Sequence, residues 1–434
     1  MSHDCHECSS RPGSRLADGA AHDHDHVSWT RRQFLGTIGF ATGALMIGRF
    51  PARALGQDAV LSRLAGVDTD RVLVILQLAG GNDGLNTLVP FRNDVYHNAR
   101  PDLAVLDSFP VTDELGFHPA MKPLESVFKD GRMAILHSVG YDESKLSHFT
   151  GTDIWMTAGD SVGMPDDGWA GRFLDHALGE RLLPYPMAIQ LGDGAPLLFK
   201  GPTSQMAMSI RSMELFERLV TTGQLYDTGG LPVSELGEVV SFMRSVSNNL
   251  IHYADAVKTA YANGSNMADY PADNLLGEQL ASIARLVRGG LETRIYHVTL
   301  NGFDTHARQP DVHADLLRQA SGAMAAFYED LAADELDHRV LGMTFSEFGR
   351  RVAQNSSAGT DHGTAAPLFL FGPAVAGGFH GTPPDLTDLD DGGNLRFETD
   401  YRAVYGTVLQ RWFGLDEGDA SAILGGRFSI LDVV

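Results

Sequence analysis

Carboxylates and imidazoles recur in a few short, glycine-bordered stretches of this sequence, and those stretches are where it could do chemistry. Asp304 and His306 stand two apart in Asn301-Gly302-Phe303-Asp304-Thr305-His306. In a loop, that spacing lets a carboxylate and an imidazole converge on one cation. An Asx-turn beside a surface histidine is the alternative. Asp361 and His362 are adjacent in Thr360-Asp361-His362-Gly363-Thr364. Neighbours in extended chain point oppositely, so the pair could serve two ions, or one residue could ligate while the other supports. Asp83, in Gly80-Gly81-Asn82-Asp83-Gly84, is placed to ligate with Asn82 in support, or to cap an ordinary glycine turn. Glu347, upstream of the Asp-His pair, and His380, downstream of it, are further ligand or supporting candidates. Together these residues make a set that could hold one or two divalent ions (Zn, Mg, Mn or Ca), as metal hydrolases do.

Ser147-His148 opens a predicted helix in Ser144–Trp155. A serine there is either a nucleophile, with the helix N-terminus steadying an anion, or a plain helix cap. His148 could orient the substrate oxygen or the leaving group. Arg172 and Arg350 are candidates to clamp an anion bidentately.

These residues need a scaffold that gathers them. Arg71–Leu78 is a continuous apolar run ending in Gly-Gly, the pattern of a buried parallel strand. Met133–Val139, Thr293–Leu300, Val340–Phe345 and Pro367–Phe371 read the same way. Helical patterns lie between and around them over His118–Val127, Val233–Ala262, Leu275–Val287, His313–Ala332 and Asp400–Phe413. Strands alternating with helices predict a three-layer α/β/α sandwich on a mainly parallel sheet. In such sheets ligands sit beyond the carboxyl ends of the strands, where the candidate residues fall. Residues 190–232, rich in glycine and short apolar pieces, are expected to form an inserted subregion or hairpins beside the sheet.

The whole chain has 434 residues, Lys+Arg 33 against Asp+Glu 55, and a net charge of −22. That balance argues against a nucleic-acid partner, which calls for a basic footprint. No GxGxxG follows a strand, so a dinucleotide-dependent oxidoreductase is disfavoured. Thr30-Arg31-Arg32-Gln33-Phe34-Leu35 precedes the uncharged stretch Gln33–Gly48, and Ala52-Arg53-Ala54 forms an A-x-A cleavage pattern. This resembles a twin-arginine export signal over residues 1–54, leaving one domain over 55–434 and a periplasmic or secreted location. The twin-arginine translocase would be a partner during export. Both cysteines, Cys5 and Cys8, lie in that leader beside His3, His6, His22, His24 and His26, so the remainder has none. The leader also holds six Arg and five Asp or Glu, so removing it makes the chain one charge more negative.

Longer motifs bring a family resemblance. They are GGNDGLNTLVP (80–90), GFHPAMKPL (116–124), SHFTGTDIWMTA (147–158), GWAGRFLD (168–175) and NGFDTHARQ (301–309). FSEFGRRVAQN (345–355), GTDHGTAAPLFLFG (359–372) and TDYRAVYGTVLQRWFGL (399–415) complete the set. In this order they resemble domain-of-unknown-function family 1501 across nearly all of 55–434. That family is similar, distantly, to the alkaline phosphatase and sulfatase fold. The resemblance implies metal ligands at Asp304, His306, Asp361 and His362, a first-strand carboxylate at Asp83 and a nucleophile at Ser147. It implies an exported metal-dependent hydrolase of phosphate or sulfate esters, acting on a small anionic ester or a polymer. The alternative is a non-catalytic binding protein on the same fold, partnered by a co-exported protein. This sequence departs from the pattern where Gln77 and Ala79 end the first strand, with Asp83 a turn later, and where His380 sits in Gly-Phe-His-Gly.

Overall fold

The computed structural model of the protein describes residues 70–178, 183–192, 197–202, 207–216 and 251–434. The proposed leader and residues 217–250 lie outside them. β1 (Val72–Ala79) forms from the longest apolar run and is buried almost throughout. Three short strands, β2 (Leu88–Val89), β3 (Phe109–Pro110) and β4 (Gly116–Phe117), make a small sheet of their own. Then come β5 (Met133–Gly140), β6 (Ala188–Leu191), β7 (Ala207–Ile210), β8 (Ile295–Asn301) and β9 (Val340–Phe345). The chain continues through β10 (Gly349–Gln354), β11 (Thr360–Gly363), β12 (Ala366–Phe371), β13 (Gly378–His380) and β14 (Thr399–Asp400).

The main sheet runs β13-β5-β12-β9-β1-β8-β6-β7, with β14 also on β5. β1 is central, parallel to β8 on one side (Leu73 opposite Ile295) and to β9 on the other (Val72 opposite Val340). One expectation needs correcting: β12, the Pro367–Phe371 run, is antiparallel to both β9 and β5. A parallel return would need a crossover, usually a helix. Here the link from β9 is the antiparallel ribbon β10–β11, which brings the chain back on the same edge of the sheet. A second correction concerns residues 190–232. There β6 and β7 pair in parallel and extend the sheet from β8, so these pieces join the sheet rather than stand beside it, and residues 217–232 lie outside the described residues.

Alternation along β1 assigns the two faces. Val72, Val74, Leu76 and Leu78 enter one apolar cluster, and Leu73 and Ile75 enter the other. The helices α1 (Gly84–Thr87), α2 (Asp94–Ala99), α3 (His148–Thr157), α4 (Trp169–Leu178), α5 (Leu275–Arg288), α6 (Gln309–Ala332) and α7 (Tyr401–Thr407) follow in chain order. α5 and α6 cover the first face through Leu280, Ile283, Met324 and Phe327, with helical residues 251–263 beside them. α3, α4 and α7 cover the second through Trp155, Trp169, Phe173, Tyr401 and Tyr405. Asn274 caps α5 by accepting from the Gly277 N–H, and Pro310 sits at the start of α6, where its missing N–H costs nothing. Helices on both faces of a mostly parallel sheet make a three-layer α/β/α fold.

Candidate metal centre

Three loops at the carboxyl ends of β5, β8 and β9 meet at one place. β8 delivers Asp304 and His306, the β10–β11 ribbon delivers Asp361 and His362, and the loop after β5 delivers Leu146, Ser147 and His148. Glu347 and Phe348 follow β9 after Ser346. The loop after β1 lies beneath. There Gly80 has φ +121°, and a Cβ on it would fall 2.3 Å from the Asp304 nitrogen. Only glycine fits that approach.

Asp304 Oδ1 is the hub. It lies 3.1 Å from His306 Nε2, 3.3 Å from His362 Nε2 and 3.4 Å from His148 Nε2, and it accepts from Arg350 at 2.8 Å. His306 Nε2 and His362 Nε2 are 2.9 Å apart. Each imidazole turns its other nitrogen to an oxygen. His148 Nδ1 is 2.8 Å from Glu347 Oε1, His362 Nδ1 is 2.8 Å from the Leu146 carbonyl, and His306 Nδ1 is 3.3 Å from Asp361 Oδ1. A carbonyl or carboxylate can only accept, so these contacts place a proton on Nδ1 and turn Nε2 to the hub, where it donates to Asp304 when protonated and offers a lone pair to a cation when it is not. Leu146 has φ +51°, strained for a leucine, in the conformation from which its carbonyl reaches His362. Phe348, buried, supports the rings of both His148 and His362, with centroids 4.9 and 4.5 Å away.

The electrostatics follow from these contacts. Burial opposes the charge on Asp304, but hydrogen bonds from His148, His362 and Arg350 outweigh it and hold the carboxyl well below the usual range. Hydrogen bonds to Asp304 and Glu347 raise His148 to about 9. Burial lowers His306, and the hydrogen bond from Asn355 lowers Asp361. Among the described residues, ligand atoms of His148, Asp304 and His362 lie within 4.8 Å of one another, a donor set that fits a divalent ion.

Several candidate residues fall elsewhere. Asp83 is fully buried and paired with Arg100 at 2.7 Å; it also accepts from Gln309 and caps α1 through the Leu85 and Asn86 N–H groups. Burial would raise it, yet Arg100 keeps it lowered. Its carboxylate is engaged away from the hub, so the expected metal role does not hold. Asn82 accepts from Thr87 and lies 2.9 Å from His313 Nε2, also in the packed interior. Arg172 spends its donors on the carbonyls of Ile423, Asp167 and Thr157 and on the Asp167 carboxylate. Arg350 donates to the carbonyls of Gly80, Gly81, Phe303 and Thr360 and to Asp304. Neither guanidinium has the expected freedom to clamp an anion, because each holds the fold instead. His380 lies on β13, its Nε2 against the Ala376 carbonyl, outside the cluster. Ser147 stands at the start of α3, and its hydroxyl makes no cap bond. A cavity of about 540 Å³, lined by Leu85, Pro90, His137, Pro367, Leu395 and Arg350, does not include Asp304 or the three histidines around it.

The model of a family described as "Protein of unknown function (DUF1501)" matches residues 243–425. That segment is similar to the family. It carries Asp304, His306, Glu347, Asp361 and His362, and all five lie in the cluster or against it. No curated protein matches the chain. Among solved structures it is similar to the lipoteichoic acid synthase LtaP from Listeria monocytogenes, at 8% identity and a TM-score of 0.37 over 87% of this chain and 82% of that one. It is similar to a protein in the alkaline phosphatase superfamily from Vibrio parahaemolyticus, at 10% identity and TM-score 0.38 over 86% and 78%. It is also similar to the PsFucS1 sulfatase from Pseudoalteromonas sp., at 11% identity and TM-score 0.37 over 88% and 75%. Likeness at this level carries no activity to this chain.

Proposed function

We propose that this chain is a metal-dependent hydrolase of phosphate or sulfate esters with Ser147 as nucleophile. The observation that carries the reading is the loop Leu146–His148. It presents a serine whose hydroxyl is not used to cap its helix, while its other two residues hold or join the Asp304 cluster. A divalent ion, when bound, polarises the ester and lowers the pKa of a nearby hydroxyl. The serine hydroxyl gives up its proton and its oxygen attacks the phosphorus or sulfur, while the ester C–O oxygen departs with the bond electrons and takes up that proton. Water then cleaves the serine ester, restoring the hydroxyl and releasing phosphate or sulfate. Glu347 fixes the His148 ring, and in this reading His148 carries the proton between serine, leaving group and water. Arg350 sets Asp304.

We further propose export through the twin-arginine signal of residues 1–54. None of the helices among the described residues is long and apolar enough to cross a membrane. Small anionic esters or an anionic polymer are the proposed substrates.

The test is hydrolysis of 4-nitrophenyl phosphate, bis(4-nitrophenyl) phosphate and 4-nitrophenyl sulfate, with and without chelator. Metal-loaded protein should turn over at least one of them, and Ser147→Ala should lower kcat by a factor of 100 or more. Full activity in Ser147→Ala would remove the nucleophile, and metal-loaded protein inert toward all three esters would remove the hydrolase reading. The second reading, a non-catalytic exported protein that binds a co-exported partner, is favoured by the engagement of both Arg172 and Arg350 in the fold.

A further inference from the structure

We infer that the centre takes a single ion of the zinc, cobalt or nickel kind on Asp304, His306 and His362, with His148 beside the ion rather than on it. The inference rests on the metal-dependent reading above and narrows it to ligands, number and kind of ion.

The edges of this triad are 2.9, 3.1 and 3.3 Å. An ion with tetrahedral bonds of about 2.0–2.1 Å sets its ligand atoms roughly 3.3–3.4 Å apart. The triad therefore needs to open by only a few tenths of an ångström. Both imidazoles are already held for the task, His306 by Asp361 and His362 by the Leu146 carbonyl. Three protein ligands with a free fourth position are also the pattern of a catalytic ion rather than a structural one. Asp304, His306 and Asp361 are all about half exposed, so solvent and substrate reach that side.

The kind of ion follows from the donors. Two neutral imidazoles and one carboxylate suit zinc, cobalt or nickel, whereas magnesium and calcium take mostly oxygen. The number follows from what the other candidates do. The Asp83 carboxylate is engaged by Arg100, Gln309 and the cap of α1, His380 lies at the sheet edge, and Glu347 Oε1 is shared by the Gly80 N–H and His148. Among the described residues one ligand cluster remains, and it is centred on Asp304.

His148 is the rival ligand, since with Asp304 and His362 it forms the alternative trio. It is set beside the ion because its contact with Asp304 is the longest of the three imidazoles' and Glu347 grips its other nitrogen.

The test is metal content of the full chain after dialysis against zinc, by plasma mass spectrometry, with the visible spectrum of the cobalt(II)-substituted protein alongside. The expected result is one equivalent, with intense tetrahedral cobalt bands. His306→Ala and His362→Ala should lose at least 90% of that metal, and His148→Ala should keep it. Circular dichroism and thermal melting of each variant separate lost binding from lost folding. Two equivalents, retention by His306→Ala in a folded protein, loss in His148→Ala, or activity supported by magnesium or calcium alone would each overturn the inference. Activity with magnesium or calcium alone would leave the hydrolase reading standing. One equivalent of zinc on this triad in a protein inert toward all three esters would do the reverse.

Discussion

Asp83 and Arg350 exchange the roles that residue type suggests for them. Asp83, an acid after the first strand, serves as a buried counter-ion and helix cap. Arg350, a basic residue near the site, serves as a clamp on three loop carbonyls, on the Thr360 carbonyl of β11 and on Asp304. Breaking a buried ion pair from one side strands the other charge, at a cost of about 3–5 kcal/mol. Asp83→Asn should therefore shift the urea midpoint strongly while leaving metal content unchanged. A stable variant that loses its metal would return Asp83 to the ligands. Removing both charges, in Asp83→Asn with Arg100→Met, should cost less than the two single changes added together. Asp304, His306, Asp361, His362, His148 and Glu347 were legible because carboxylate and imidazole at strand ends is a local pattern. What was not legible is which distant group reaches a given side chain. Nothing near Asp83 in sequence announces Arg100, and nothing in residue type marks the Leu146 carbonyl as the partner of His362.

At the scale of elements, the turn after β1 decides how closely the metal-bearing loop can approach. Gly80→Ala places a methyl 2.3 Å from the Asp304 nitrogen at a φ of +121°. Backbone strain of that kind costs about 1–3 kcal/mol before any clash. The variant should unfold at lower urea and bind zinc at least tenfold more weakly, read by competition with a chromophoric chelator. Unchanged zinc affinity would show that the β1 turn does not set the β8 loop. The strands β1, β5, β8 and β9 were readable because burial on both faces leaves continuous apolar runs. The direction of β12 was not, since an apolar run looks alike in either orientation and only the β10–β11 ribbon decides it. α6 begins at Gln309, earlier than its apolar periodicity suggests, because Pro310 starts the helix before its buried stripe does.

At the scale of the whole molecule, three histidines among the described residues are buried, and burial outweighs the pull of Glu398 on His137 and of Asp83 on His313. Burial pushes His297 down to about 3 and His137 and His313 to about 4. Their folded values lie below the unfolded value near 6.5, so the unfolded chain binds protons first. Their contribution is complete above pH 6.5 and is lost as pH falls toward 4 and then 3. For fully buried His297 the loss approaches roughly 1.4 kcal/mol per pH unit. With chelator present, Tm should drop between pH 6.5 and 5, and His297→Phe should flatten that slope; an equal slope in the variant would exclude His297 as its source. The topology also has a kinetic consequence. β1 finds its neighbours only when β8 and β9 arrive, more than two hundred residues later in the chain. Contacts that distant make folding slow and leave the early half without its central partners. Asp304, His306 and His362 all come from that late half, on the loop after β8 and on the β10–β11 ribbon, which β1 and β9 must first align. Synthesis of most of the chain thus precedes any coordination, and a fully occupied centre would report that the sheet has closed in its native order.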